Sequence, residues 1–159
     1  FNGLISMIFG ICTMTINKTQ ISLKKEIIIN PSFHEVDPMG VVWHGNYLKF
    51  FEKAREALFK DLHFGYTEMK QSGYVWPIIE VKIKYRRPAV LESSLLVSAE
   101  IVEYENEIKI EYLIRDQETN KILTTGMSRQ MAFDLKKKQG CLTSPKVLFE
   151  VLGKESPYA

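Results

Sequence analysis

Apolar and polar residues alternate along this chain with two different periods, and the change of period outlines the fold. Lys24 to His34 carries the β-branched run Ile27-Ile28-Ile29 and predicts a first strand, interrupted or bounded by Pro31. Asp37-Pro38 and Gly40 then mark a turn, because the residue before proline avoids the helical region and glycine accepts positive φ. From Asn46 to Leu62 the apolar residues Tyr47, Phe50, Phe51, Ala54, Leu58 and Leu62 recur at helical spacing. Lys49, Glu52, Lys53, Glu56 and Lys60 fall largely on the opposite side. Asn46 is expected as the N-cap, Glu56 and Lys60 as an i,i+4 pair, and Gly65 as a stop.

After Gly73 the period drops to two. Ile79, Val81, Ile83 and Tyr85 alternate with Glu80, Lys82, Lys84 and Arg86, and Arg87-Pro88 ends the run. Leu95, Val97, Ala99 and Ile101 predict the next strand. A tight turn at Glu105-Asn106 leads to Ile108, Ile110, Tyr112 and Ile114. A turn over Asp116 to Asn120 leads to a last long strand carrying Leu123, Met127, Met131 and Phe133, and Pro145 to Val151 predicts a short terminal helix. One strand, one long helix and four strands joined mostly by short turns describe an α+β domain, an antiparallel sheet wrapped around a helix.

Neither repeat nor linker divides the chain, so residues 21–153 are expected to be one domain preceded by an apolar extension over residues 1–20. The apolar stretch Phe1 to Met14 is shorter than the ~20 residues of a spanning helix and lacks the basic region of a signal peptide. Met14 is a plausible natural start. The formal charge of +2, from 21 basic and 19 acidic residues, gives no nucleic-acid footprint. Lys24-Lys25, Arg86-Arg87 and Lys136-Lys137-Lys138 read as solvated strand ends or turns, or else as contacts to the phosphates of a nucleotide-bearing substrate. Cys12 and Cys141 stand far apart and His34, His44 and His63 lack ligand spacing, so no disulfide, metal site or cofactor is expected and a cytoplasmic location fits.

The chemistry concentrates between Asp37 and Tyr47. Asp37 is a carboxylate on a turn before the helix, suited to act as nucleophile or base. The backbone N–H groups between Gly40 and Asn46 lie near the helix start, where unpaired donors and the helix dipole favour a negative oxygen. These are two of the three parts that thioester hydrolysis requires, the third being a slot for the acyl chain and its carrier arm, although on spacing alone a plain Asp-Pro turn is the commoner reading.

The segment Phe33-His34-Glu35-Val36-Asp37-Pro38-Met39-Gly40-Val41-Val42-Trp43-His44-Gly45-Asn46-Tyr47 resembles the signature of the 4-hydroxybenzoyl-CoA thioesterase family of hotdog-fold proteins. Tyr85-Arg86-Arg87-Pro88-Ala89 resembles that family's strand ending in a Tyr-x-x-Pro-Ala turn, and the likeness runs from Ile27 to Phe133. It implies a hotdog-fold acyl-CoA thioesterase acting on an aliphatic or aromatic acyl group, with Asp37 catalytic and the His44 backbone N–H polarising the carbonyl. It further implies that Gly40, Val41, Val42, Trp43, Asn46 and Tyr47 bind substrate, and that the chain forms a homodimer or homotetramer. The imidazole of His44 is as readily structural as catalytic. Glu52 reads as a partner of Arg55 or Lys49 rather than as a second acid. The acidic turn Tyr104-Glu105-Asn106-Glu107 leaves an acyl-carrier-protein thioester open as the substrate, and a hotdog module that binds acyl thioesters without cleaving them is the alternative of a different class. No His-Phe-Pro-Gly-type dehydratase motif is present.

Overall fold

A computed structural model describes residues 21–158. The expectations for residues 1–20, including Met14 and Cys12, lie outside the described residues. Five long strands form one antiparallel sheet: β1 (Lys24–Ile29), β3 (Ile78–Tyr85), β4 (Leu95–Glu103), β5 (Ile108–Asp116) and β6 (Ile122–Gln130), in the order β1-β4-β5-β6-β3. The long helix α1 (Asn46–Asp61) lies against one face of this sheet. This is the expected α+β hotdog architecture.

The burial of alternate residues explains why the pieces assemble this way. Leu95, Val97, Ala99 and Ile101 of β4 and Ile108, Ile110, Tyr112 and Ile114 of β5 are all buried. They meet Phe50, Phe51, Ala54 and Leu58 from the apolar stripe of α1. Phe51 stacks on Tyr112 with ring centroids 4.5 Å apart. It can lie so close to the sheet because position 126 is glycine: a Cβ there would stand 2.4 Å from the Phe51 ring.

Several details depart from the periodic reading. Asn46 is the first helical residue rather than the cap, because its amide is drawn inward to the carbonyl of Glu35, and Gly45 occupies the cap position. Helix α1 stops before Gly65: His63 takes the positive φ of 53°, and Gly65 instead caps a short helix α2 (Tyr66–Gln71) that the pattern did not announce. In β3 the register shifts between Ile78 and Glu80, so Ile79 sits in a bulge and Ile78, Val81, Ile83 and Tyr85 share the α1 side of the strand, where Ile83 packs against the core and the other three stay exposed.

Strand β6 ends at Gln130, before Met131 and Phe133. Phe133 belongs to β7 (Phe133–Asp134), which pairs with β2 (Tyr74–Val75) and β8 (Gln139–Gly140) in a small second sheet. The side of β6 turned to the core is Thr124, Gly126, Ser128 and Gln130, a polar face, because those positions accept the Phe51 ring, the Tyr112 hydroxyl and the Arg55 guanidinium. The terminal helix is present as α3 (Lys146–Val151), with Leu148 and Phe149 buried. It is tied to the β4–β5 turn through Ser144 N–H to the Glu105 carbonyl.

Candidate active site

The loop between β1 and α1 is a closed ladder. Val36 bridges Val42, and the N–H of Asp37 donates to the Val41 carbonyl at 2.8 Å. At its tip Asp37-Pro38-Met39-Gly40 forms a β-turn, with Gly40 N–H on the Asp37 carbonyl at 2.9 Å and Gly40 at φ +77°, a conformation that favours glycine. The carboxylate of Asp37 folds back over this turn. Its Oδ1 accepts from Met39 N–H at 2.8 Å and from Val41 N–H at 3.4 Å, which fixes one oxygen and leaves the other without a protein partner among the described residues.

Farther along, the loop is fastened to its surroundings. Glu35, buried, accepts Trp43 N–H at 2.9 Å and Asn46 Nδ2 at 2.8 Å on its carbonyl, while its carboxylate takes the N–H of Ser32 at 2.8 Å. The segment after β3 then clamps the other side. Tyr85 donates its hydroxyl proton to the His44 carbonyl at 2.9 Å, Val42 N–H donates to the Ala89 carbonyl at 2.8 Å, and Ala89 N–H donates to the Tyr47 hydroxyl at 3.1 Å. Tyr47 and Tyr85 meet edge to face at 5.1 Å. Burial raises the Tyr47 hydroxyl above the usual phenol range.

The bonds just described leave two backbone donors at the helix start. Among the described residues, the N–H groups of His44 and Gly45 have no backbone or side-chain acceptor, and both precede the first turn of α1. A carboxylate and free donors of this kind share one loop, which is the minimum equipment for attack at a carbonyl. The His44 imidazole is exposed and lies 4.9 Å from the Trp43 ring, with no side-chain hydrogen bond. The Trp43 ring covers Gly45, where a Cβ would come within 2.2 Å of it.

The remaining expected binding residues divide by burial. Val42, Asn46 and Tyr47 are buried and hold the loop in place, whereas Gly40 and Trp43 are exposed and Val41 is half-buried. Glu52 pairs with Arg55 at 2.6 Å, the structural pairing expected of it. Lys24 and Lys25 face Glu26, Glu100 and Asp61, and Arg87 binds the Ile122 carbonyl at 2.9 Å. In the acidic turn, Glu107 is engaged by Arg129, which also binds Glu80 at 2.8 Å.

A cleft of about 700 Å³ opens elsewhere on the same face, between the middle of α1 and the residues leading into β3. Phe59, Met69, Trp76, Pro77 and Ile78 supply its apolar walls, and Glu52, Lys53, Arg55, Glu56 and Lys60 line the side formed by α1. Neither Asp37 nor His44 lines it. Periodicity did not reveal this cleft, nor the roles of Tyr85, Ala89 and Glu35. The only sequence trace of the clamp is the Tyr85-x-x-Pro88-Ala89 turn.

Comparison with known proteins adds the family. Residues 31–150 match the model of the Thioesterase-like superfamily. YneP of Bacillus subtilis (strain 168), named as a candidate acyl-CoA thioesterase, is 38% identical over 81 residues, covering 51% of this chain and 57% of that protein. The acyl-CoA thioester hydrolase YbgC of Escherichia coli O6:H1 is 28% identical over 69 residues, covering 43% of this chain and 52% of the relative. These matches thus span little more than half the length of either relative. Among solved structures, Slr0204, a 1,4-dihydroxy-2-naphthoyl-CoA thioesterase from Synechocystis, superposes with a TM-score of 0.72 at 17% identity, over 82% of this chain and 96% of that one. That likeness is one of fold.

Proposed function

The chain belongs to the Thioesterase-like superfamily, and on that premise we propose that it hydrolyses acyl-CoA thioesters with Asp37 as the reacting carboxylate. The observation that carries this reading is the pairing, on one loop, of a carboxylate pinned through a single oxygen with the unpaired N–H of His44. In the proposed reaction the free oxygen of Asp37 either attacks the thioester carbonyl, expelling the thiolate and forming an anhydride that water then hydrolyses to the free acid, or draws a proton from a water that attacks the carbonyl directly. The His44 N–H, at the positive end of α1, receives the charge that develops on the carbonyl oxygen. The leaving group is a thiol, acidic enough to depart as thiolate without a dedicated acid. A second titratable partner for Asp37 is therefore unnecessary. The names of YneP and YbgC support the substrate class.

The same reading includes a homodimer. Strand β3 is hydrogen-bonded to β6 alone among the described strands, and it exposes Ile78, Ile79, Val81 and Tyr85. A long apolar edge without proline is a template for another strand. Two copies joined antiparallel along β3 would set the Tyr85 end of one strand beside the Ile78 end of the other. Because Tyr85 holds the His44 carbonyl, the Asp37 loop of one copy would then face the cleft of its neighbour.

The test is thiol release from a panel of CoA and carrier-protein thioesters by the wild-type chain and by Asp37→Asn. The variant keeps an oxygen for Met39 N–H, so the turn survives while the reacting group is lost. Turnover is expected to fall by about 100- to 10,000-fold, the usual worth of a positioned base. Undiminished turnover in the variant would remove Asp37 from the chemistry. Tight binding without thiol release by the wild type would make the chain a binding module, and preference for carrier-protein thioesters would move the substrate class.

A further inference from the structure

The cleft beside α1 carries a feature that simple hydrophobic lining does not explain. Gln130 is fully buried on the polar face of β6, and its Oε1 accepts Arg55 Nη1 at 2.6 Å. Arg55 can only donate, so this bond fixes the amide: the oxygen faces Arg55 and the NH2 must point away. That Nε2 has no partner among the described residues, and neither has Nε of Arg55. Trp76, 5% exposed, is a third case, with its Nε1–H also unpartnered. Arg55 and Trp76 line the cleft, and Gln130 is bonded to the first of them.

Two of these buried donors belong to cleft-lining residues and the third to a residue bonded to one of them, while the carboxylate of Glu52 already binds another nitrogen of Arg55 at 2.6 Å. Leaving a buried donor unmade is costly, on the order of 1–3 kcal/mol each. A cleft of about 700 Å³ falls within the size of small-molecule sites, and Phe59, Met69, Pro77 and Ile78 give it an apolar wall alongside the charged Lys53, Glu56 and Lys60 of α1. What would complete it is a compact, mainly apolar group bearing an acceptor oxygen.

We propose that Arg55, Gln130 and Trp76 form a specificity-determining subsite that selects acyl groups carrying a hydroxyl, oxo or carboxylate oxygen over plain hydrocarbon ones. This rests on the thioesterase reading, in which the acyl group of a substrate bound at one copy's Asp37 enters the neighbouring copy's cleft. A hydrocarbon acyl group would fill the volume and leave all three donors unpaired. Sites built to bond a substrate oxygen discriminate strongly against analogues that lack it.

Two matched pairs of CoA thioesters provide the test: phenylacetyl against 4-hydroxyphenylacetyl, and hexanoyl against 6-hydroxyhexanoyl. Wild-type kcat/KM is expected to favour the oxygenated member of at least one pair by about tenfold or more. In Trp76→Phe and in Arg55→Lys, each checked for folding by circular dichroism, that preference, read as the ratio of the two kcat/KM values, should shrink to about twofold or less. Brisk thiol release with no oxygen preference in either pair overturns the proposal and leaves the thioesterase reading standing. A preference that both variants retain also overturns it. Should no thioester be cleaved, the hydrolase reading fails instead, and the subsite is judged by calorimetric binding of the corresponding thioether analogues. Tighter binding of the oxygenated analogue, lost in the variants, supports the subsite; equal affinities overturn it.

Discussion

Replacing Gly126 with alanine should damage both stability and turnover, although Gly126 lies in neither the loop nor the cleft. The added Cβ would stand 2.4 and 2.7 Å from two atoms of the Phe51 ring and 3.1 Å from the Lys82 carbonyl. Carbon atoms rest about 3.5–4.0 Å apart, so the ring must retreat by about 1 Å. It has little room, because it is 2% exposed and stacked on Tyr112, whose hydroxyl is bonded to Ser128 at 2.9 Å. Overpacking of this kind costs about 1–3 kcal/mol. The loss of glycine freedom in the unfolded chain returns about 0.4–1 kcal/mol. A net loss of about 1–2 kcal/mol follows, and for a domain of this length it lowers Tm by roughly 3–6 °C.

The displaced ring belongs to the second turn of α1, whose first turn follows His44. A shift of about 1 Å at an oxyanion donor can cost up to about 100-fold. Turnover in Gly126→Ala should therefore fall by about tenfold or more, with KM changing less. The decisive assay is a double-mutant cycle with Phe51→Leu, followed by urea unfolding and thiol release. The two substitutions should couple by about 1–2 kcal/mol, the double variant being less destabilised than the sum of the singles. If the effects simply add, or if Gly126→Ala unfolds within about 0.5 kcal/mol of wild type, the close approach of helix to sheet is not what glycine provides here.

Other outcomes follow from the same geometry. Tyr85→Phe keeps the edge contact to Tyr47 but frees the His44 carbonyl; stability should drop by about 0.5–1.5 kcal/mol and kcat by more than that loss explains, and an unchanged kcat would show that the clamp does not position the donor. Val81→Asp would set a charge among the apolar residues of a β3–β3 junction, so sedimentation equilibrium is expected to show a dimer for the wild type and a monomer for the variant, and an unaffected dimer would place the interface elsewhere. Burial pushes the Tyr112 hydroxyl up to about 12 from 10, so the unfolded chain releases that proton first as pH rises. The corresponding stability is complete below pH about 10 and lost toward 12, a difference of roughly 3 kcal/mol, and melting curves across that range should fall less steeply for Tyr112→Phe. Equal slopes in the two proteins would deny the shift.

How much of this was legible in the sequence depended on whether a residue's partner was local. The α1 stripe, the β4 and β5 alternation and the Asp37 turn are set by neighbours a few positions away, and they stand where the pattern put them. The burial of Asn46 could not be foreseen in the same way, because its partner is a carbonyl eleven residues upstream, across a ladder that exists only once the loop has closed. Asparagine is a common cap, and a local rule had nothing else to weigh. The bulge at Ile79 and the end of β6 at Gln130 escaped the pattern for a related reason: Ile78 and Gln130 pair with each other, 52 positions apart in the chain.

The polar inner face of β6 is the instructive case. Periodicity placed Leu123 and Met127 along this strand, and apolar residues are expected to face a core. Leu123 is buried, but Met127 is only half-buried, and the positions facing α1 are Thr124, Gly126, Ser128 and Gln130. Gly126 is needed there by the Phe51 ring, and Ser128 and Gln130 are needed by Tyr112 and Arg55. A strand whose inner positions break the hydrophobic rule is stable only if each polar group is bonded. Two groups on this strand, Thr124 Oγ1 and Gln130 Nε2, are not bonded among the described residues. Local sequence rules fail at Gln130, where a bound acyl group would supply the missing acceptor, and consistency elsewhere in the sheet is what makes that failure informative.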